Sequence, residues 1–381
     1  MPGNANKTIL VTGSDGLIGW HLRAWLLTLG QNVETIACNR EQFNDDAFLG
    51  NAIEKADVIV HLAGMNRGEE DEIVETNIAL ARRITEFCQQ LDCRPHVIYS
   101  NSTHINGDSR YGYSKRVAAE IFDDWASSED ARFLNLVLPN VFGEHGTPNY
   151  NSVVSTFSYK LAVGETPNVI EDSELELLHA HLVARIIWRA VEEQSTGLLQ
   201  PSGHKMLVSE LLQRLEFLSD RYQSGVLPDL SNDIDLNLFN TLRSYIPYER
   251  RLIRLDLRSD SRGSLFECVR ADGEGQVFLS TSVPGAVRGQ HFHFHKVERF
   301  LVVQGNAKIQ MRRVLKDESF TYEVSGDEPA VIDIPTLHTH SITNTGDIPL
   351  LTLFWSGQLY DPDDSDTSPL SVDFPPTQDN V

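Results

Sequence analysis

At 381 residues the chain is too long for one ordinary hydrophobic core, and two domains are expected. The balance of 32 Lys and Arg against 54 Asp and Glu gives a net charge of −22, which argues against nucleic acid and anionic membrane surfaces as partners. No apolar run reaches a membrane span, the start lacks a signal sequence, and Cys38, Cys88, Cys93 and Cys268 follow no disulfide or zinc-ribbon spacing, so a reduced, cytoplasmic protein is expected.

The first readable element is Thr8-Ile-Leu-Val-Thr12, a short strand of buried type. It runs into Gly13-Ser-Asp-Gly16-Leu-Ile-Gly19 and a helical pattern with Leu17, Ile18, Leu22, Trp25, Leu26 and Leu29 on one side. Strand, glycine turn and helix is the arrangement in which helix N-terminal amides hold a pyrophosphate. A second strand, Asn32-Val-Glu-Thr-Ile-Ala-Cys38, follows and ends in Asn39-Arg40. An NAD site usually has an acid there for the ribose hydroxyl, whereas Arg40 suits a 2′-phosphate and favours NADPH.

The alternation continues with a helix near 45–55, the strand Val58-Ile-Val-His61, a helix over 71–91 and the strand His96-Val-Ile-Tyr-Ser100. This predicts a doubly wound parallel sheet with ligands at the carboxyl ends of its strands, where Ser102 falls. Tyr111-Gly-Tyr-Ser-Lys115 opens the next helix, and the spacing of four puts Tyr111 and Lys115 on one face, with Tyr113 pointing elsewhere. A lysine beside a phenol is expected to lower the phenol's pKa from about 10, giving a group that trades protons near neutrality during hydride transfer to a carbonyl.

These residues together resemble the extended short-chain dehydrogenase/reductases over roughly residues 7–245. The resemblance implies that Gly13, Gly16 and Gly19, with Leu17 and Ile18 between them, meet the cofactor phosphates. It puts Ala63-Gly64 beside the adenosine ribose. It makes Ser102, Tyr111 and Lys115 the catalytic set, aligns Asn77 with the helix asparagine of a proton relay, and puts Asn140 near a substrate pyrophosphate. Val137 stands where the family often has arginine. Members with this layout mostly act on nucleotide-linked sugars.

Helical patterns at 150–160, 178–193, 208–221 and 234–245 predict a small substrate lobe, and Ile246-Pro-Tyr marks a boundary between domains 1–246 and 247–381. Beyond it the period changes to short strands with turns between them, an antiparallel sandwich or barrel. From Tyr360 the chain is rich in Asp, Pro, Ser and Thr, which predicts poor order at its end.

The most informative stretch is Gly285-Ala-Val-Arg-Gly-Gln-His-Phe-His-Phe-His-Lys-Val-Glu-Arg-Phe-Leu-Val-Val-Gln-Gly305. On a strand, residues two apart share a face, so His291 and His293 can reach one ion; Glu298 follows, and His340 is a fourth candidate on a neighbouring strand. Three imidazoles and a carboxylate suit a divalent transition ion such as zinc. The spacing resembles the first motif of the cupins. Pro335, His340 and Asn344 match the second, where Leu337 replaces a glycine. Asp260-Ser-Arg262-Gly-Ser-Leu-Phe-Glu267 is similar to the stretch that opens cupins acting on keto-sugar nucleotides, and implies substrate contacts for Arg262 and Glu267.

A Rossmann-type reductase with a small substrate lobe, followed by an antiparallel cupin barrel, resembles the CapF-type bifunctional UDP-sugar enzymes of capsular polysaccharide synthesis. That resemblance implies C3 epimerisation of a UDP-4-keto-6-deoxy hexosamine, then reduction at C4, by a homodimer. Chemistry sets the order, because the C3 proton is acidic only while C4 is a carbonyl. The metal would polarise the sugar oxygen or brace the barrel; His295, Lys296 and His338 are candidate bases. The alternative is a reductase whose cupin only binds or dimerises.

Overall fold

The computed structural model describes residues 7–363 and 365–373. The far end of the tail, expected to be poorly ordered, lies outside the described residues. The chain forms two compact units, one built from residues up to Phe142 with Glu174–Met206, the other from Gly143–Ser173 with residues from Leu207 onward.

In chain order the first unit holds β1 (Lys7–Thr12), α1 (Leu17–Leu27), β2 (Val33–Cys38), α2 (Arg40–Asn44), α3 (Asp46–Lys55) and β3 (Val58–His61). There follow α4 (Glu70–Gln90), β4 (His96–Ser102), α5 (Arg110–Glu129), β5 (Phe133–Leu138) and β6 (Asn140–Phe142). After α6 (Val153–Val163), which belongs to the second unit, come β7 (Glu174–His179), α7 (Ala180–Glu193), β8 (Gly197–Leu199) and β9 (His204–Leu207).

Six strands form a parallel sheet in the order β2-β1-β3-β4-β5-β8. Their pleat sorts the core. Leu10, Ile59, Val97 and Tyr99 face Phe122 and Trp125 of α5, whereas Ile9, Val11, Val60 and Ile98 face Leu22 and Leu26 of α1 and Ile187 of α7. The strand order reverses between β1 and β3, so the ligand crevice expected of a doubly wound sheet opens at their carboxyl ends. A second sheet of three short strands, β6-β7-β9, is absent from the sequence reading; β7 ends inside the region of helical pattern and α7 starts only at Ala180.

The second unit joins α6, α8 (Val208–Gln223) and α9 (Asp233–Ser244) to an antiparallel β domain. Its strands are β10 (Leu252–Arg254), β11 (Arg258–Asp260), β12 (Gly263–Leu265), β13 (Gln276–Ser282), β14 (Val287–Phe292), β15 (Glu298–Gln304) and β16 (Asn306–Arg313). These are followed by β17 (Ser319–Ser325), β18 (Ala330–Ile334), β19 (His338–Asn344), β20 (Leu350–Ser356) and β21 (Ser368–Pro369).

Two five-stranded sheets, β10-β18-β15-β20-β13 and β17-β16-β19-β14-β21, share a core of Phe300, Ile309, Met311, Ile332, Ile342 and Leu350. A buried carboxylate ties α9 to this domain. Asp333 of β18 accepts from Arg243 of α9 at 3.0 and 3.1 Å and from Arg299 of β15 at 3.3 Å, with Arg251 at 3.6 Å. No helix among the described residues is long and apolar enough to cross a membrane.

Candidate functional site

The glycine turn packs against the end of β3 too closely for a side chain. Gly13 has φ +67°, and a Cβ on it would lie 2.8 Å from the Ala63 nitrogen; one on Gly19 would lie 2.9 Å from the Ser14 Cα. Gly16 is the N-cap of α1 and offers no side-chain cap, so the first-turn amides around Leu17 and Ile18 keep their donors for a ligand. The Thr12 hydroxyl accepts from the Ala63 amide at 3.3 Å and pairs with His61 Nδ1 at 2.7 Å, fixing the Ala63-Gly64 loop to β1. Such a cradle fits a dinucleotide pyrophosphate. Arg40 is exposed at the first turn of α2, just past the end of β2, where Asn39 and Gln42 form a capping box.

Ser102 ends β4 and Tyr111 lies in the first turn of α5, which Ser109 caps through a 3.0 Å bond from Gly112. The Ser102 hydroxyl is close enough to the Tyr111 phenol to pull its pKa down. Lys115, one turn on, is buried; its Nζ donates to the Ser100 carbonyl at 2.6 Å and sits 4.1 Å from the centre of the Tyr99 ring. Tyr113 points to solvent. The phenol differs from expectation in one respect. Burial raises the Tyr111 pKa above its ordinary value, against the smaller downward pull of Ser102, and burial drives Lys115 down to about 7. Desolvation of both groups outweighs the expected help from the ammonium.

Two side chains position this set. Asn101 accepts from the Ser102 amide at 2.9 Å and donates to Asn135 at 3.0 Å. Asn77 grips Met65 through both amide groups, at 2.7 and 2.8 Å, and donates to the Ser114 hydroxyl at 2.9 Å; that hydroxyl in turn bonds the Tyr111 carbonyl at 2.7 Å. The loop after β3 is thereby pinned to the turn that carries Tyr111. Asn140 begins β6 and is exposed, and Val137 is buried in the sheet.

In the second unit, β14 bulges at Gln290 (φ 63°) between Gly289 and His291, and His291 pairs with His340 of β19. The ligand atoms of His291, His293, Glu298 and His340 all lie within 4.8 Å of one another. Two imidazoles have their outer nitrogen fixed: His340 Nδ1 donates to the His338 carbonyl at 3.1 Å, and His293 Nδ1 to the Asp366 carbonyl at 2.5 Å.

Their Nε2 atoms then face Glu298 Oε2, at 3.6 and 3.0 Å. His340 Nε2 is buried without a hydrogen bond, which fits a donor meant for an ion. Burial alone would raise the Glu298 carboxyl, but the His293 imidazole beside it holds it down at about 2, while burial pushes His340 down to about 3. An ionised carboxylate and a neutral imidazole are the forms that bind metal. Leu337 takes φ 57°, the left-handed conformation usually left to glycine, and its amide bonds the His293 carbonyl at 2.7 Å.

Other expected groups are engaged elsewhere. Arg262 and Glu267 are exposed at the hairpin of β11 and β12, Arg262 paired with Asp260 at 2.6 Å and Glu267 with Arg270 at 3.9 Å. Lys296 Nζ donates to the Ser365 carbonyl at 2.5 Å. Buried His338 donates through Nδ1 to Thr336 at 2.9 Å and accepts from the Tyr248 hydroxyl at 2.7 Å. His295 lies 3.4 Å from Asp366. The sequence reading missed Asp366, Asn101 and Ser114, and no spacing signal pointed to them.

Residues 9–200 match the NAD dependent epimerase/dehydratase family, and residues 258–368 match the polysaccharide biosynthesis C-terminal domain. The chain is 28% identical over 372 residues to a Pseudomonas aeruginosa UDP-2-acetamido-2,6-beta-L-arabino-hexul-4-ose reductase, covering 96% of this chain and 98% of that one. The crystal structure of the capsular polysaccharide assembling protein CapF from Staphylococcus aureus is 33% identical, with a TM-score of 0.64 over 96% of this chain and 100% of that one. The Bacillus subtilis spore coat polysaccharide biosynthesis protein SpsL is 28% identical over 123 residues, which cover 30% of this chain and 82% of that protein.

Proposed function

Because the chain belongs to the NAD dependent epimerase/dehydratase family and resembles CapF over nearly its whole length, we propose that it is a bifunctional UDP-sugar enzyme of capsular or exopolysaccharide synthesis. Residues 1–246 act as the reductase and residues 247–381 as the epimerase. The substrate is a UDP-4-keto-6-deoxy-HexNAc. The product is UDP-N-acetyl-6-deoxy-L-talosamine, a precursor of UDP-N-acetyl-L-fucosamine. What carries this reading is the pairing, in one chain, of Ser102, Tyr111 and Lys115 at one strand end and the following helix with a half-buried cluster of three imidazoles and a carboxylate.

Epimerisation comes first. Removal of the C3 proton leaves a carbanion that the adjacent C4 carbonyl delocalises, and return of a proton to the opposite face inverts the centre. A divalent ion, zinc by its donor set, held by His291, His293, Glu298 and His340, would supply a Lewis acid for the sugar oxygen or brace the barrel. Reduction follows.

NADPH, held by Gly13, Gly16 and Gly19 and selected by Arg40, would supply the hydride for C4. Ser102 holds the carbonyl oxygen, and Tyr111 protonates it as the alcohol forms. The raised phenol pKa suits that direction, since a proton donor must still carry its proton at neutral pH. Asn140 contacts the nucleotide, and Arg262 and Glu267 the sugar. A second copy of the chain is the partner: β13 is an edge strand with Val277, Leu279 and nearby Val283 exposed, a surface that favours pairing. The reaction is assigned to the cytoplasm.

One observation favours the other reading, in which the β domain only binds or dimerises: Lys296 and His338 already spend their polar atoms on protein partners. Incubation with the 4-keto sugar in deuterated water without NADPH separates the two. A catalytic β domain adds one mass unit at C3 before any reduction. A substrate recovered unlabelled, yet reduced once NADPH is added, leaves only the reductase.

A further inference from the structure

The segment from Ser365 to Asp373 is bound along the strand that carries the metal-site histidines. Ser368 and Pro369 of β21 pair with Phe292 and His291. The Leu370 amide donates to the Gln290 carbonyl at 2.9 Å, and the Val372 amide to the Gln290 side chain at 2.7 Å. Buried Arg312 donates to the carbonyls of Ser371 and Val372 at 2.7 and 3.0 Å, and Thr339 donates to that of Leu370. This is a fixed strap, although its composition reads as loose chain.

Its key residue is Asp366, whose side chain is 3% exposed. One carboxylate oxygen accepts from the Phe294 amide at 2.9 Å, and the other from the amides of His295 and Lys296 at 3.0 and 2.8 Å. Three successive amides converging on one anion form a backbone nest, and here the nest directly follows His293. The same residue's carbonyl accepts from His293 Nδ1. One residue therefore holds the chain beyond the ligand and also favours a proton on Nδ1, which turns Nε2 toward Glu298 and the other ligands.

We propose that Asp366 is a positioning residue for the metal ligand His293, and that the strap Ser365–Val372 completes the metal site. The inference rests on the reading of His291, His293, Glu298 and His340 as ligands. An outer partner that fixes a ligating imidazole is typically worth roughly 10–100-fold in metal affinity. The carboxylate matters through the nest, because without it three amides lose their acceptor and the carbonyl of residue 366 drifts from the ring.

The test is zinc affinity of the full-length chain, stripped with a chelator and titrated with Zn2+ against a chromophoric competitor. The wild type, His340→Ala, Asp366→Ala and Asp366→Asn are compared. The expected result is tight binding by the wild type, loss in His340→Ala, and a roughly 10–100-fold weaker site in Asp366→Ala. Asp366→Asn, which keeps one acceptor oxygen, should fall between. Two-bond 15N–1H spectra of the metal-free chains give a readout independent of the ion: His293 carries its proton on Nδ1 in the wild type and loses that preference in the variants.

Wild-type zinc affinity and an unchanged His293 tautomer in either Asp366 variant overturn the role of the strap while leaving the ligand set standing. If the wild type binds zinc no better than His340→Ala, the ligand set itself falls and the inference falls with it. Should Asp366→Ala not fold, Asp366→Asn decides by both readouts.

Discussion

The two candidate sites are assembled by opposite means. Ser102, Tyr111 and Lys115 come from one strand end and the helix that follows it, within 14 residues of chain, and their supports Asn77, Asn101 and Ser114 lie on the same or adjacent elements. The candidate metal cluster draws on β14 and its end, β15 and β19, and His293 is hydrogen-bonded to Asp366 of the tail. A site built from consecutive elements is placed by local structure. A site built from distant strands is placed by register, so it inherits every long-range pairing in its unit. The first should tolerate changes far along the chain, and the second should not.

The sharpest way to break this contrast is to remove one proton donor. Tyr111→Phe keeps the ring and the packing of α5 but removes the proposed proton donor, so C4 reduction should fall by roughly 10²–10⁴-fold. Deuterium exchange at C3 by the same variant should match the wild type. If exchange falls in parallel, the two chemistries are not separable and the comparison fails.

Next in size is a change that strikes the second unit through its long-range ties. Asp333 is fully buried, and the nearby Arg243, Arg299 and Arg251 hold its carboxyl below the usual range against the opposing effect of burial. Asp333→Asn leaves three buried guanidinium groups without their counter-charge, which should cost roughly 3–5 kcal/mol. Calorimetry should show the transition of the second unit lowered by roughly 10 °C, with that of the first unit unmoved. A variant melting like the wild type would mean that the charge on Asp333 does not hold α9 to the β domain.

The same contrast governs what could be read in advance. Glycine spacing after a strand, Tyr111 four residues before Lys115, and His291 two before His293 are statements about neighbours along the chain, and such neighbours survive folding as neighbours. Ser102 and Glu298 were readable because each stands at the edge of a strand whose pattern is plain. Asp366 was not, since it sits about 70 residues beyond the histidine it orients and nothing in a run of Asp, Ser and Thr marks one acid among several. The sheet β6-β7-β9 was hidden because its strands are short and separated by a helix of the other unit. The direction of the Tyr111 shift depends on burial, which spacing cannot report. Leu337 shows the reverse case: the motif's usual glycine is missing, yet the turn forms, with a buried leucine in the left-handed region.

The smallest predicted effect turns on Lys115 and concerns the first unit alone. Its side chain is buried, and desolvation lowers its pKa from 10.5 to about 7. Between those values the unfolded chain binds a proton that the folded chain does not, so the term rises with pH and the stability withheld at neutral pH returns as pH climbs toward 10.5. Lys115→Met removes the ionisable group and keeps the bulk, at the expense of the bond to the Ser100 carbonyl. At pH 7 the variant should be more stable than the wild type by roughly 0.5–2 kcal/mol while reduction is lost, the usual opposition of stability and activity at a site. The advantage should shrink as pH rises and vanish only above 10.5, where the wild-type lysine is neutral in both states. Denaturant melts of the two proteins at several pH values between 7 and 10 measure that difference. A constant gap across the range would mean that Lys115 keeps its charge when folded, and that the polar edge of the sheet solvates it far better than its burial suggests.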